Sequence, residues 1–215
     1  MLTLDEGKFL VKLVRQTIEG YLRTGKKPQA PAVSAKLRRR RGVFVTLTKG
    51  DELRGCIGHP LPTMPLVEAV VDAAISSATR DPRFSPISVD EMRDIKIEVS
   101  VLSEPEIIKV KSPREYPKCI VIGRDGLIVE WSGYAGLLLP QVPAEYGWDA
   151  EEFLSHACMK AGLMPDHWLQ KGVCISKFSA QIFAEKSPGS EVEERVFQTS
   201  KIRKHLNPET KSKTR

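Results

Sequence analysis

Leu53-Arg54-Gly55-Cys56-Ile57-Gly58-His59-Pro60 crowds a guanidinium, a thiol and an imidazole between two glycines. Cys56 suits a nucleophile or a metal ligand when something lowers its pKa. A nucleophile needs a base and an orienting group, and His59 is the nearest candidate base. Arg54 carries a permanently charged fork matched to carboxylate or phosphate. Gly55 and Gly58 permit positive φ or the close approach of a ligand to the backbone. The competing reading makes Gly-Cys-Ile-Gly a strand end with its thiol packed as a small hydrophobe. A second charged group follows in Arg80-Asp81-Pro82-Arg83, where the arginines either bind an anion or pair with Asp81. Glu98, on the polar side of a predicted strand, joins the catalytic candidates Cys56 and His59 if that side meets the Cys56 hairpin. Gln141 is a hydrogen-bonding group for a cleft or a tie for an irregular loop.

These residues must be positioned by the elements around them. Thr3-x-x-Glu6 is a capping box, and Phe9, Leu10, Leu13, Val14 and Ile18 continue at helical spacing, predicting a helix over 4–23. Val43, Val45 and Leu47 alternate with Phe44, Thr46 and Thr48. Lys49-Gly50-Asp51 turns that strand into a second one through Cys56, and the motif's glycines are expected to let the chain leave the sheet there. Thr63 and Pro65 open an apolar helix that stops before Pro82. Ser88-x-x-Glu91 opens a helical turn, and 95–101 alternates as a strand. Residues 119–122 and 127–131 flank Gly123-Arg124-Asp125-Gly126 and read as a hairpin. Residues 132–147 read as irregular, Asp149-x-x-Glu152 caps a helix to Gly162, and 173–184 is a last strand. Helices and hairpins without βαβ alternation predict an α+β fold on a largely antiparallel or mixed sheet.

The chain resembles the AMMECR family, named for a human chromosomal region linked to Alport syndrome and elliptocytosis. The likeness is carried by Leu53–Gly58, Asp81-Pro82-Arg83-Phe84, the strand around Glu98–Leu102, Leu138–Val142, and Phe153-Leu154 through Cys158–Leu163 to Trp168. It spans about residues 5–185. The resemblance implies one domain of two intimate, closely packed lobes over 1–198, with the Cys56 motif at a cleft. It supplies no reaction. It also implies association with a Memo-type protein and a radical SAM enzyme.

Composition narrows the function classes. The formal charge is +6, yet residues 199–215 hold six Lys/Arg against Glu209, so the rest of the chain is at +1. That tail reads as a basic flexible end. Arg23 to Arg41 contains eight Lys/Arg and no carboxylate, ending in Arg38-Arg39-Arg40-Arg41. This run and the tail define an alternative, a non-catalytic nucleic-acid- or protein-binding module. No run of 18 apolar residues spans a membrane and no signal-peptide pattern occurs, so a cytoplasmic location is expected. Cys56, Cys119, Cys158 and Cys174 lie at no zinc spacing and are expected as free thiols, with no metal assigned. No phosphate-binding loop, dinucleotide fingerprint or serine elbow is present, and the cofactor stays unknown.

Overall fold

The computed structural model describes residues 1–195. The basic tail over 199–215 lies outside the described residues. The chain forms two compact units. Among the described residues, the first takes Met1–Glu106 and 178–195, and the second takes Ile107–Lys177.

The first unit opens with helix α1 (Leu4–Thr24). Its Thr3 cap accepts from Glu6 N while the Glu6 carboxylate accepts from Thr3 N, and Gly25 closes the helix at φ 69°. Strands β1 (Val43–Lys49) and β2 (Glu52–His59) form an antiparallel hairpin. Helix α2 (Leu66–Thr79) follows, then a short 3-10 turn over Asp90–Asp94 and strand β3 (Ile95–Leu102), antiparallel to β1. One face of these strands puts Val43, Val45, Leu47, Ile97 and Val99 into a core with α1 and α2. Burying each such side chain is worth roughly 1.5–3 kcal/mol.

The two-residue strand β4 (Glu106–Ile107) leads into the second unit, where a 3-10 helix over Pro113–Cys119 comes first. Strands β5 (Asp125–Trp131) and β6 (Tyr134–Leu138) then make a hairpin. Helices α3 (Gln141–Tyr146) and α4 (Ala150–Lys160) come next. Phe153, Leu154, Ala157 and Cys158 of α4 pack with Leu127, Val129, Trp168 and Ile175 in a second core. Strand β7 (Cys174–Glu185) starts in the second unit and ends in the first, where it pairs antiparallel with β3 and with β8 (Val192–Arg195). The sheet of the first unit thus runs β2-β1-β3-β7, with β8 added on β7.

The α+β class and the antiparallel pairing agree with the sequence reading. Three local expectations do not hold. Gly55 and Gly58 do not release the chain, and β2 continues to His59. Residues 119–122 form no strand, because Pro113 and Pro117 favour a 3-10 turn ending at Cys119. The hairpin turn lies instead at Ser132-Gly133, both at positive φ, so 132–147 contains β6 and α3 rather than irregular chain.

Candidate functional site

Cys56 sits in β2 directly opposite Thr46 of β1, and Thr46 is in turn opposite Glu98 of β3. These three side chains form one row on the sheet face away from α2. The Cys56 Sγ lies 3.4 Å from the Thr46 hydroxyl. Two strand spacings put Cys56 and Glu98 roughly 10 Å apart in backbone position. Glu98 accepts from Arg195 Nη1 at 2.7 Å.

The edge of the row is built by Asp81, which is only 4% exposed. Its Oδ2 accepts the Cys56 amide at 2.8 Å, and its two oxygens take Arg83 Nε and Nη2 at 2.9 and 2.7 Å. The Arg83 amide adds a fourth bond at 3.1 Å. Arg83 Nη2 also reaches Cys56 O at 3.3 Å, and its guanidinium lies 5.3 Å from the Phe84 ring centre. The Arg83 hydrogen bonds, helped by the two amides and opposed by burial, hold the Asp81 carboxyl down at about 2. Asp81 is therefore an anion that fixes the Cys56 backbone.

Burial pushes the Cys56 thiol pKa up; the Thr46 hydroxyl and Arg83 charge oppose this, and Asp81 and Glu98 add to it. The resting group is a protonated, half-buried thiol. The expectation of an activated thiolate is not matched by these surroundings.

His59 does not meet that thiol. Side chains alternate along a strand, so positions 56 and 59 face opposite sides. His59 Nε2 lies 3.0 Å from Asp72 Oδ2 in α2, and Asp72 also holds Lys27 Nζ. Lys27, then His59, keep the Asp72 carboxyl low. Arg54 is engaged by Glu91 through Nε at 2.8 Å and Nη2 at 3.1 Å, and gives Nη1 to Ser85 O. The close approach allowed by Gly55 and Gly58 is made by the protein itself: a Cβ at Gly55 would lie 2.2 Å from Ser77 O. Arg80 is exposed at the end of α2 and makes no ion pair among the described residues. Gln141 belongs to the second unit, where its Oε1 is buried without a partner.

The sequence alone assigns no site role to Thr46, Arg195 or Ser77. Ser77 Oγ accepts from Ile57 N at 2.9 Å and donates to Val45 O at 2.8 Å, tying α2 to both hairpin strands. Thr46 was detectable only by aligning the two hairpin strands in register. All four cysteines are free, and Cys158 is buried with its pKa pushed up to about 11 by that burial. Among the described residues no group of three His, Cys, Asp or Glu is placed to hold a metal ion, and no helix is long and apolar enough to cross a membrane.

Fold and site together define a class of α+β proteins in which a three-strand row presents a thiol whose backbone is locked by an Asp–Arg pair. The sequence signature of the AMMECR1 family matches residues 11–183, and the chain belongs to that family. Protein MJ0810 of Methanocaldococcus jannaschii is 56% identical over 197 residues, covering 91% of this chain and 98% of the relative. Protein MK0488 of Methanopyrus kandleri is also 56% identical, covering 90% and 95%. The crystal structure of the uncharacterized protein PH0010 from Pyrococcus horikoshii aligns with a TM-score of 0.84 at 50% identity, over 89% of this chain and 97% of that one.

Proposed function

We propose that the protein binds an anionic small molecule or peptide on the polar side of the first unit's sheet, with Cys56 Sγ as the group that reacts with it. The observation that carries this reading is the Cys56–Thr46–Glu98 row bordered by Arg83. Arg83 is 53% exposed and keeps Nη1 without a partner among the described residues, so it offers an accessible positive donor beside the thiol. Reaction at Sγ requires loss of its proton, and the acceptor we assign is Glu98, which stands in the same row on the far side of Thr46 and also accepts from Arg195. The setting we infer is the reducing cytosol, where free thiols persist. The Memo-type and radical SAM proteins implied by the family resemblance are the first partners to test as donors of a peptide ligand.

Site-resolved alkylation tests this reading. The native protein is treated with iodoacetamide from pH 6 to 10 and the four cysteines are followed by mass spectrometry. Cys56 is expected to label well ahead of Cys158, with an apparent pKa above that of a free thiol. Glu98→Gln should lower that pKa and Thr46→Val should raise it. Succinate or inorganic phosphate should protect Cys56 in the wild type but not in a folded Arg83→Gln variant. Labelling of Cys56 as slow as that of Cys158, or no protection by either anion, overturns the proposal.

A further inference from the structure

The run Arg38–Arg41 is absorbed by nothing in the thiol site. Among the described residues none of its four side chains has a carboxylate partner, whereas Arg15, Arg54, Arg83, Arg124 and Arg195 each have one. Arg38, Arg39 and Arg40 are exposed. The backbone beneath them is nonetheless fixed. Leu37 is buried in the first core, Leu37 O and Arg39 O accept the Val67 and Leu66 amides, and Arg40 bridges to Pro65. Because those carbonyls satisfy the first amides of α2, the helix end is not itself an anion site. A pinned run of like charges is a standing repulsion that a polyanion relieves, and each fork matches a phosphate.

A cleft of about 520 Å³ lies over the first half of α2, with none of the four arginines in its lining. It begins at Met64, next to the Pro65 that bridges Arg40. Pro28, Ala30, Met64 and Val71 give it apolar walls, Gln29 and Glu68 bring amide and carboxylate groups, and the paired Lys27 and Asp72 complete the lining. A slot with apolar walls and hydrogen-bonding groups, one residue along the chain from the Pro65 that bridges the arginine run, suits a base splayed out of an unpaired strand. A duplex keeps its bases stacked, and a membrane surface would call for projecting apolar side chains where Leu37 is instead buried.

We infer that the Arg38–Arg41 ridge and the neighbouring cleft form a binding site for single-stranded nucleic acid, with phosphates on the arginines and one base in the cleft. Fluorescence anisotropy of the full chain tests it, using a labelled ten-nucleotide RNA from 50 to 300 mM KCl. The comparison probes are an abasic strand of equal length, a blunt duplex, and vesicles of phosphatidylserine and phosphatidylcholine. The exposed-site variant R38Q/R39Q/R40Q should keep the wild-type melting temperature and bind the RNA at least tenfold more weakly at 50 mM KCl. Its salt slope should shrink by about 2, since each phosphate contact on a single strand contributes about 0.7. The variant Q29A/E68A should weaken RNA binding at least threefold and leave the abasic strand unchanged. RNA binding by the folded triple variant equal to wild type overturns the ridge. A cleft variant without effect on RNA, or duplex bound as tightly as the single strand, overturns the base slot. Arginine-dependent binding to vesicles but not to RNA overturns the nucleic-acid assignment.

Discussion

A methyl group at Gly55 would fall 2.2 Å from Ser77 O, and one at Gly58 would fall 2.2 Å from Val43 O and 2.6 Å from the Phe44 ring. Neither neighbour is a flexible side chain tip that can swing away. Gly55→Ala is expected to lower unfolding stability by about 2–3 kcal/mol, the cost of forced overpacking. Gly20→Ala, inside α1 about one turn before its end and with nothing within 4 Å, should raise it by about 0.5–1 kcal/mol. Urea midpoints check both, and a neutral Gly55→Ala would refute the packing argument. Asp81 gives a pH signature. Its folded pKa of about 2 lies below its ordinary 3.8, so its contribution is complete above about pH 4 and fades as pH falls toward 2. Because Arg83 is half exposed, that contribution is about 1–2 kcal/mol. Asp81→Asn should lessen the loss of stability between pH 4 and 2 by about that amount, read from urea unfolding at each pH, because Glu6, Asp72, Glu91 and Asp125 are also held low and still contribute. Sequence pointed to Cys56, Asp81 and Arg83, which touch one another, and to Glu98, which lies two strands away in the same row. It paired Cys56 with His59, three positions along a strand and so on the opposite face. It left Arg54 open because Glu91, its partner, is distant in sequence and meets it only through the fold.

The elements of the first unit are held by one buried ion pair as well as by their core. Arg15 of α1 gives Nε and Nη2 to Glu185 of β7 at 2.9 and 2.7 Å, and its remaining donors reach Met92 O and Ile95 O. Glu185 is 4% exposed and also accepts the Ile97 amide. Arg15→Met would strand a buried carboxylate and should cost about 3–5 kcal/mol. The double variant R15M/E185M should recover most of that loss, because an apolar pair of similar volume replaces a buried ion pair at little cost. A double-mutant cycle in urea decides this, and independent, additive losses would show that the staple is not a unit. Helices were legible where caps and periodicity agree, as in α1 with Thr3 and Glu6 and α4 with Asp149 and Glu152. The error over 119–126 arose where Asp125 binds back to Val121 N and Arg124. That side-chain closure imitates the composition of a hairpin turn without making one. Strand β8 has one apolar residue among four and carries almost no pattern of its own; β7 supplies the template that makes it a strand.

On the scale of the molecule, the described chain leaves the first unit once and returns once, so Ile107–Lys177 is a single uninterrupted stretch. That stretch contains its own core of Leu127, Val129, Phe153, Leu154, Trp168 and Ile175. The sequence holds three tryptophans, and Trp131, Trp148 and Trp168 all lie within it. Tryptophan emission of the whole protein therefore reports this unit alone, while the first unit, built from two separated stretches, is silent. A chain of about 70 residues gains only some 3–5 kcal/mol from one core, so the isolated stretch 107–177 should fold with low but measurable stability. Its emission should be that of buried tryptophan and should shift to the red in one cooperative urea transition. Phe153, fully buried, is the discriminating position. Phe153→Ala costs about 3–5 kcal/mol in a packed core, which equals the whole margin available, so the variant stretch should be unfolded in buffer. Solvent-exposed emission and no transition in the unmodified stretch would mean that this core does not suffice, and that the returning half of β7 is part of what folds it.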